Sequence, residues 1–385
     1  MRPLTIERAA GIIIFALLFA LATRIPIDTD TWWHLRSGEV TLTQGMIHTD
    51  PFSFTMRGEP WINHSWGTQV LMDGFWRVGG NLGLAVFTSL LATGGMVLVY
   101  RMSAGNVYLR GFALVIGAAA AAVFWSARPQ MCSFFLSALV LVLLHLYKRE
   151  HIDRLWLIPM VMLLWVNLHA GFTIGFILMG GMIAGDVLAN LFNPQGADVI
   201  RWGRLRKLVI VALVSAAVLV INPYGLQIYG VPFQTVSIGA LQEFIQEWNS
   251  PNFHERQTWP FIALLLGVLG AVGASKRRLD WSDFVLLSGT AFMSLTAGRN
   301  IALFAVVATP VLTHHLQSVL EERGWVLETI KRPTRRMVQL NTVLVALVLI
   351  GSLAKVLLVL DRETVAEAQT MFLPVEATAF VQGRG

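Results

Sequence analysis

Asp28 and Asp30 stand two residues apart in the stretch DTDTWWHLRSGE, and such a carboxylate pair supports two chemistries. One carboxylate can take a proton from an acceptor hydroxyl, or the pair can hold a divalent cation against a diphosphate. His34 and Arg36 follow in the same stretch, with Asn63 and His64 further along. Arg128 lies in SARPQ, Asn167 and His169 in NLHAGF, and Arg299 and Asn300 in GRN. Arginine makes bidentate contacts to phosphate, so these turns carry groups that suit a phosphate leaving group. The blander reading of the aspartates is that they are solvated or cap the following helix. Two carboxylates alone make a sparse metal site, so the base is favoured over the metal, with no assigned metal ligand and Mg or Mn only an optional cofactor.

The elements that must position these residues are apolar. Hydrophobic residues make up 55% of the 385 and charged ones only 14%, against about 25% in a soluble domain. With a mean hydropathy of +0.62, lipid must cover the surface. Apolar runs lie at about 9–25, 82–100, 111–126, 131–147, 155–169, 171–192, 207–222, 259–275, 281–298, 300–317 and 338–360. A crossing helix needs about 20 residues, which predicts an all-α polytopic bundle of about 11 transmembrane helices. The runs are apolar all round and do not alternate, which argues against a barrel. The net charge of +6 comes from short basic clusters between runs, a membrane-orientation pattern that speaks against a nucleic-acid partner. Cys132 is the only cysteine, excluding an intramolecular disulfide and a cysteine-based metal site. Arg2, Arg8 and Ala20-Leu21-Ala22 have the make-up of a signal peptide, but the segment reads as a retained anchor.

A cytoplasmic N-terminus places most of the 29 Lys and Arg inside, and the C-terminus then lies outside. The cytoplasmic turns, including Lys148, Arg149, RWGRLRK, SKRR and the 323–336 segment, are read as topology anchors without chemistry. His145, Asp186, His314 and His315 fall at cytoplasmic helix ends and are assigned local roles, while Lys355 is expected to snorkel. The outer turns carry all the candidates named above. An ionisable group at membrane depth costs ~2.5–3.5 kcal/mol and normally faces a cavity or a partner. Several on one face predict a shared polar cavity there.

The bundle is expected to span 1–360, with a first outer loop at 26–80, a second long outer segment at 223–258 and a short outer tail at 361–385. Within the first loop, Trp32, Trp33 and Leu35 predict a short interfacial helix. FSFTMRGEPWI reads as a hairpin turning at Arg57-Gly58-Glu59, and SWGTQVLMDGFWRV as a second interfacial helix capped by Asn63 or Ser65. In the second segment Glu243, Glu247, Trp248 and His254 could help close the cavity, although their spacing specifies no reaction.

DTDTWWHLRSGE, TDPFSFT followed by GEPWINHSW, ARPQ, WVNLHAGF, NPYG with EWNSPNF, and GRNIALFAVVATP occur in this order over nearly the whole chain. The series resembles a group of bacterial polytopic membrane proteins related to the GT-C glycosyltransferases. The resemblance implies a GT-C-like bundle in the bacterial inner membrane, with an aspartate of the first outer loop as base or metal ligand. Here those positions are Asp28 and Asp30, with Asp30 preferred and His34 beside them. Arg128, Asn167, His169, Arg299, Asn300 and His64 are assigned to the phosphate side by inference, since no fixed motif gives them that role. The implied partners are a polyprenyl-phosphate sugar donor, membrane lipids and further membrane subunits. Relatives continue past the last span into an outer soluble segment, whereas this sequence stops at Gly385. Two alternatives therefore stay open: a non-catalytic GT-C-like subunit of a larger complex, and a flippase for lipid-linked sugars.

Overall fold

The computed structural model describes residues 4–325 and 333–383; Arg2 and the Lys331-Arg332 part of the basic segment lie outside these. Sixteen α-helices follow one another: α1 Ile6–Ala22, α2 Thr29–Gln44, α3 Trp66–Met102, α4 Val107–Ala121, α5 Gln130–Arg149, α6 Leu157–Leu168, α7 Thr173–Phe192, α8 Trp202–Val218, α9 Val231–Ser237, α10 Gly239–Phe244, α11 Trp259–Ala274, α12 Trp281–Thr296, α13 Ile301–Glu322, α14 Arg335–Val359, α15 Arg362–Phe372 and α16 Val375–Gln382. Each of the eleven apolar runs falls in a helix of this series. Among the described residues seven helical stretches are long and apolar enough to cross a bilayer, so the chain is a multi-pass membrane protein. Among the described residues the only strand-like pairing is the bridge between Thr49 and Pro60.

Helices α5 and α13 form the centre, with 72% of each apolar window buried, while α14 has 0% buried and lies at the periphery. The large apolar side chains left exposed along α14, such as Leu347, Ile350 and Leu357, suit a lipid-facing surface. α7 and α12 pack closely at one end, where a side chain on Gly185 would meet the Ser282 backbone at 2.2 Å.

The expected second helix of the first outer loop is the part of α3 before Gly80, where the backbone leaves helical geometry (φ 53°) and a separate helix begins the span. Three local expectations need correction. Ser65 occupies the N-cap position but makes no capping bond; its hydroxyl lies 2.9 Å from His64 Nδ1 instead. The expected hairpin is a wider loop: Asp50 N–H donates to the Glu59 carbonyl at 2.9 Å, and the Asp50 carboxylate accepts from Phe52 N, Ser53 N and the Ser53 hydroxyl. Lys355 does not reach outward but donates to the Ala20 and Thr23 carbonyls at the C-terminus of α1, where a cation is favoured.

The helix ends opposite the candidate residues hold more than anchoring charge. Lys148 is buried, with Nζ 2.7 and 2.9 Å from the Asp186 carboxylate oxygens and 3.1 Å from Asp280. Arg149 bonds Asp198 at 2.9 Å and also pairs with Asp283. Asp186 has the local role expected of it, but Lys148 and Arg149 tie α5 to α7 and α12 rather than standing free as anchors. Asp186→Ala leaves a buried ammonium short of its partner, a change that costs about 3–5 kcal/mol. Thermal unfolding in detergent should show a large loss; an unchanged midpoint would contradict this reading of the pair.

Candidate functional site

The opposite end of the bundle encloses a cavity of about 840 Å³. Its lining includes Asp28, Asp30, His34, His64, Arg128, His169, Arg299 and Asn300, so eight of the nine predicted site residues share one space. Asn167 is outside the lining. Its amide donates to the Leu163 and Ile221 carbonyls at 2.9 and 3.0 Å and accepts from Trp66 Nε1 at 3.3 Å, which makes it a brace between segments.

Local sequence places the charged centre. Asp28 caps α2, its carboxylate accepting from Asp30 N–H at 3.0 Å. Thr31, fully buried, donates its hydroxyl to the Ala127 carbonyl at 3.0 Å and fastens the start of α2 to the ARPQ turn. Pro129 at the N-cap of α5 ends that turn, and Arg128 projects between the two segments. Its Nη2 lies 2.8 Å from Asp30 Oδ2, and its Nη1 lies 3.6 Å from Asp28 Oδ2 and 3.2 Å from Glu247 Oε2. Burial pulls the Arg128 pKa down, but Glu247, Asp28 and Asp30 together outweigh it and raise it. Arg299 stacks over the Trp248 ring at 4.2 Å and stands 3.9 Å from Glu247. The five groups sum to one net negative charge, an excess of carboxylate around two arginines.

The histidines form a second, neutral set. Trp165 Nε1 donates to Ser133 Oγ at 2.7 Å, leaving that hydroxyl to donate to His169 Nδ1 at 2.7 Å. Gly171 N–H also donates to His169 Nδ1, at 3.1 Å. Two donors on Nδ1 assign the proton to Nε2, so His169 has an N–H to offer a ligand. Gly171 is required here, since a Cβ would sit 2.3 Å from Ser133 Oγ. His34 follows the same logic: Asn63 Nδ2 donates to Gln69 Oε1 at 2.6 Å, which turns the Gln69 amide N–H toward His34 Nδ1 at 3.1 Å. Burial, with Arg128 and then His64 adding, pushes His34 down to about 2. Its Nδ1 lone pair is engaged, so His34 offers the cavity an Nε2–H donor.

Burial lowers His64 to about 4, opposed by its own backbone hydrogen bond and aided by Arg299. Burial also holds His169 well below its ordinary value. An unfolded histidine titrates near 6.5, so below about 6.5 the unfolded chain takes up a proton that folded His64 refuses until about pH 4. Stability should therefore fall as pH drops through that window, and His64→Asn should flatten part of the slope. Thermal unfolding at pH 8 and pH 5 checks this, and a wild-type midpoint that rises on acidification would contradict it.

Sequence reasoning placed Glu247 near the cavity without a role; it is the third carboxylate on Arg128, a pairing across 119 positions that no local motif marks. Ser133, Trp165 and Gln69, which set the histidine tautomers, carried no signal at all. Asn300 lines the cavity, but its amide N–H is committed to the Met293 carbonyl at 2.9 Å. The lining also has apolar side chains, among them Ile174 and Ile177 of α7, Pro232 and Val236 of α9, and Met293 of α12. Among the described residues no three His, Cys, Asp or Glu side chains are grouped to hold a metal ion.

No protein-family model matches this chain, and no curated protein matches it. Solved structures do. An archaeal oligosaccharyltransferase, AglB from Archaeoglobus fulgidus, in complex with an inhibitory peptide and a dolichol-phosphate, superposes over 94% of this chain with a TM-score of 0.53 at 11% identity. The fold is like that of an oligosaccharyltransferase. An Archaeoglobus fulgidus oligosaccharyltransferase tethered to an acceptor peptide with the NVT sequon agrees over 95% of this chain, with a TM-score of 0.53 and 15% identity. The present chain spans 56% of the length of each. The likeness supports a multi-pass helical fold like that of these oligosaccharyltransferases, and at this identity it speaks to fold alone.

Proposed function

We propose that this chain is a membrane glycosyltransferase that moves a sugar from a polyprenyl-phosphate donor to an acceptor on the outer face of a bacterial inner membrane. The observation that carries this reading is the pairing of Asp30 with Arg128 inside a cavity lined by both charged and apolar side chains. The apolar side chains suit a prenyl chain, each CH₂ contributing about 0.8 kcal/mol when buried. The phosphate head then faces Arg128 and Arg299, with the N–H groups of His34 and His169 as neutral donors. The oligosaccharyltransferase neighbours, one solved with a dolichol-phosphate, agree with a lipid-linked donor.

Asp30 Oδ2 is held by Arg128 at 2.8 Å, so it is not free to act as a base until that contact loosens. A donor phosphate competes for the same guanidinium and thereby releases the carboxylate. Asp30 then takes the proton of the acceptor hydroxyl, and the acceptor oxygen bonds to the anomeric carbon. The bond from that carbon to the phosphate oxygen breaks, leaving polyprenyl phosphate with its charge facing Arg128 and Arg299. The N-terminus is cytoplasmic in this reading, all eleven apolar helices cross, and 26–80 and 223–258 form the outer cover.

The test is reconstitution of the chain in liposomes with polyprenyl-phosphate sugars and a panel of hydroxyl acceptors. Release of polyprenyl phosphate coupled to acceptor glycosylation is the expected result. A folded protein that neither binds such lipids nor turns them over would sink the proposal.

A further inference from the structure

We infer that Arg128 is a resident cation: it takes the place of a divalent metal among three carboxylates, so the cavity binds a lipid phosphate without Mg or Mn. This rests on the proposed reading for the identity of the lipid, but not for the occupancy of the carboxylates. Asp28 and Asp30 stand together at the start of α2 and Glu247 lies far along the chain, yet all three turn toward one guanidinium at 2.8–3.6 Å. Mg²⁺ demands oxygen ligands at about 2.0–2.1 Å in near-octahedral order, and larger divalent ions need them at about 2.3–2.6 Å. With the guanidinium seated among them, the carboxylate oxygens that face the centre are already engaged and cannot supply that ligand set.

The position of Arg128 is built rather than incidental. The Thr31 bond to Ala127 and the Pro129 helix start fix the turn on both sides of it. Its side chain is 19% exposed and that of Glu247 17%, so the contacts are shielded from water. A guanidinium stays charged at every working pH and offers a planar fork to a phosphate, which an ammonium does not. The protein thus carries its positive charge covalently, where a chelator cannot remove it.

The experiment uses the full chain in nanodiscs, with polyprenyl monophosphate and Mn²⁺ as separate probes. Wild type should bind the lipid equally in EDTA and in excess Mg²⁺, and should show no Mn²⁺ signal by electron paramagnetic resonance that Asp30→Asn removes. Arg128→Gln should lose about tenfold or more in lipid affinity. It should also gain a bound Mn²⁺ that the second change Asp30→Asn abolishes. Should Arg128→Gln fail to fold, Arg128→Lys keeps a charge, and weakened but EDTA-insensitive lipid binding is its expected result. The inference is overturned by wild-type lipid binding that needs a divalent ion, by a wild-type Mn²⁺ site that Asp30→Asn removes, or by a folded Arg128→Gln protein that takes up no Mn²⁺. If no variant binds the lipid under any condition, the proposed function fails while the Mn²⁺ measurements still decide the role of Arg128.

Discussion

Asp30→Asn should abolish transfer while strengthening the hold on lipid phosphate. The carboxylate does two jobs that pull in opposite directions. As the base it is indispensable to proton removal, a contribution of about 10²–10⁴-fold in rate. As the partner of Arg128 at 2.8 Å it competes with the donor phosphate for the same guanidinium. The amide keeps the shape and can still accept from Trp33 Nε1, which donates to Asp30 Oδ1 at 3.1 Å, so the start of α2 should stay in place. Removing one of three carboxylates also makes the site's net charge neutral. The gain in affinity is modest, about two- to fivefold, because the Asp30 side chain is 39% exposed and water screens the pair. Transfer assays and lipid-phosphate titrations on the same preparation separate the two effects. Undiminished transfer would remove Asp30 from the reaction, and joint loss of folding and binding would show that it is structural.

The second large effect is expected at Gly171→Ala, beside the histidine set of the same cavity. The added Cβ would lie 2.3 Å from Ser133 Oγ and 2.8 Å from His169 Nδ1, so the chain from Trp165 through Ser133 to His169 must shift. Trp165 is fully buried and cannot move aside freely. Overpacking of this kind costs about 1–3 kcal/mol in stability. Displacing the His169 N–H from a bound phosphate or sugar oxygen should slow transfer by about 10–10²-fold, since small misplacements are amplified in rate. Gly180→Ala is the control, because nothing lies within 4 Å of a Cβ built there. A Gly171→Ala protein with the wild-type unfolding midpoint and transfer rate would show that the histidine tautomer has no bearing on the site.

The fold was legible where it depends on apolar length. Every apolar run lies in a helix, and Asp28 caps the short helix α2 as an aspartate at such a position can. The gathering of candidates was legible too, because very short turns such as that at Arg299 leave the chain no room to carry a charge away from the bundle. What could not be read was which groups neutralise one another. Arg128 was expected to face a phosphate, yet its contacts are carboxylates, one of them Glu247 from 119 positions away. His34 was placed with the catalytic aspartates without a stated role; Gln69, itself turned by Asn63, engages its Nδ1 and leaves Nε2 as the N–H donor. Lys148 looked like one more positive-inside anchor until its burial against Asp186 and Asp280 was visible. These are tertiary choices, made by packing and not written in spacing.

The central claim is that the cavity seats the phosphate of a lipid between Arg128 and Arg299. An electron cryo-microscopy structure of the chain in nanodiscs with polyprenyl phosphate tests it most directly. The expected map shows phosphate density within bidentate reach of Arg128, near Arg299, with the prenyl chain along Ile174, Ile177 and Met293 and the Arg128–Asp30 contact lengthened. A phosphate bound elsewhere, or an unchanged Arg128–Asp30 pair beside an unoccupied cavity under saturating lipid, would contradict it.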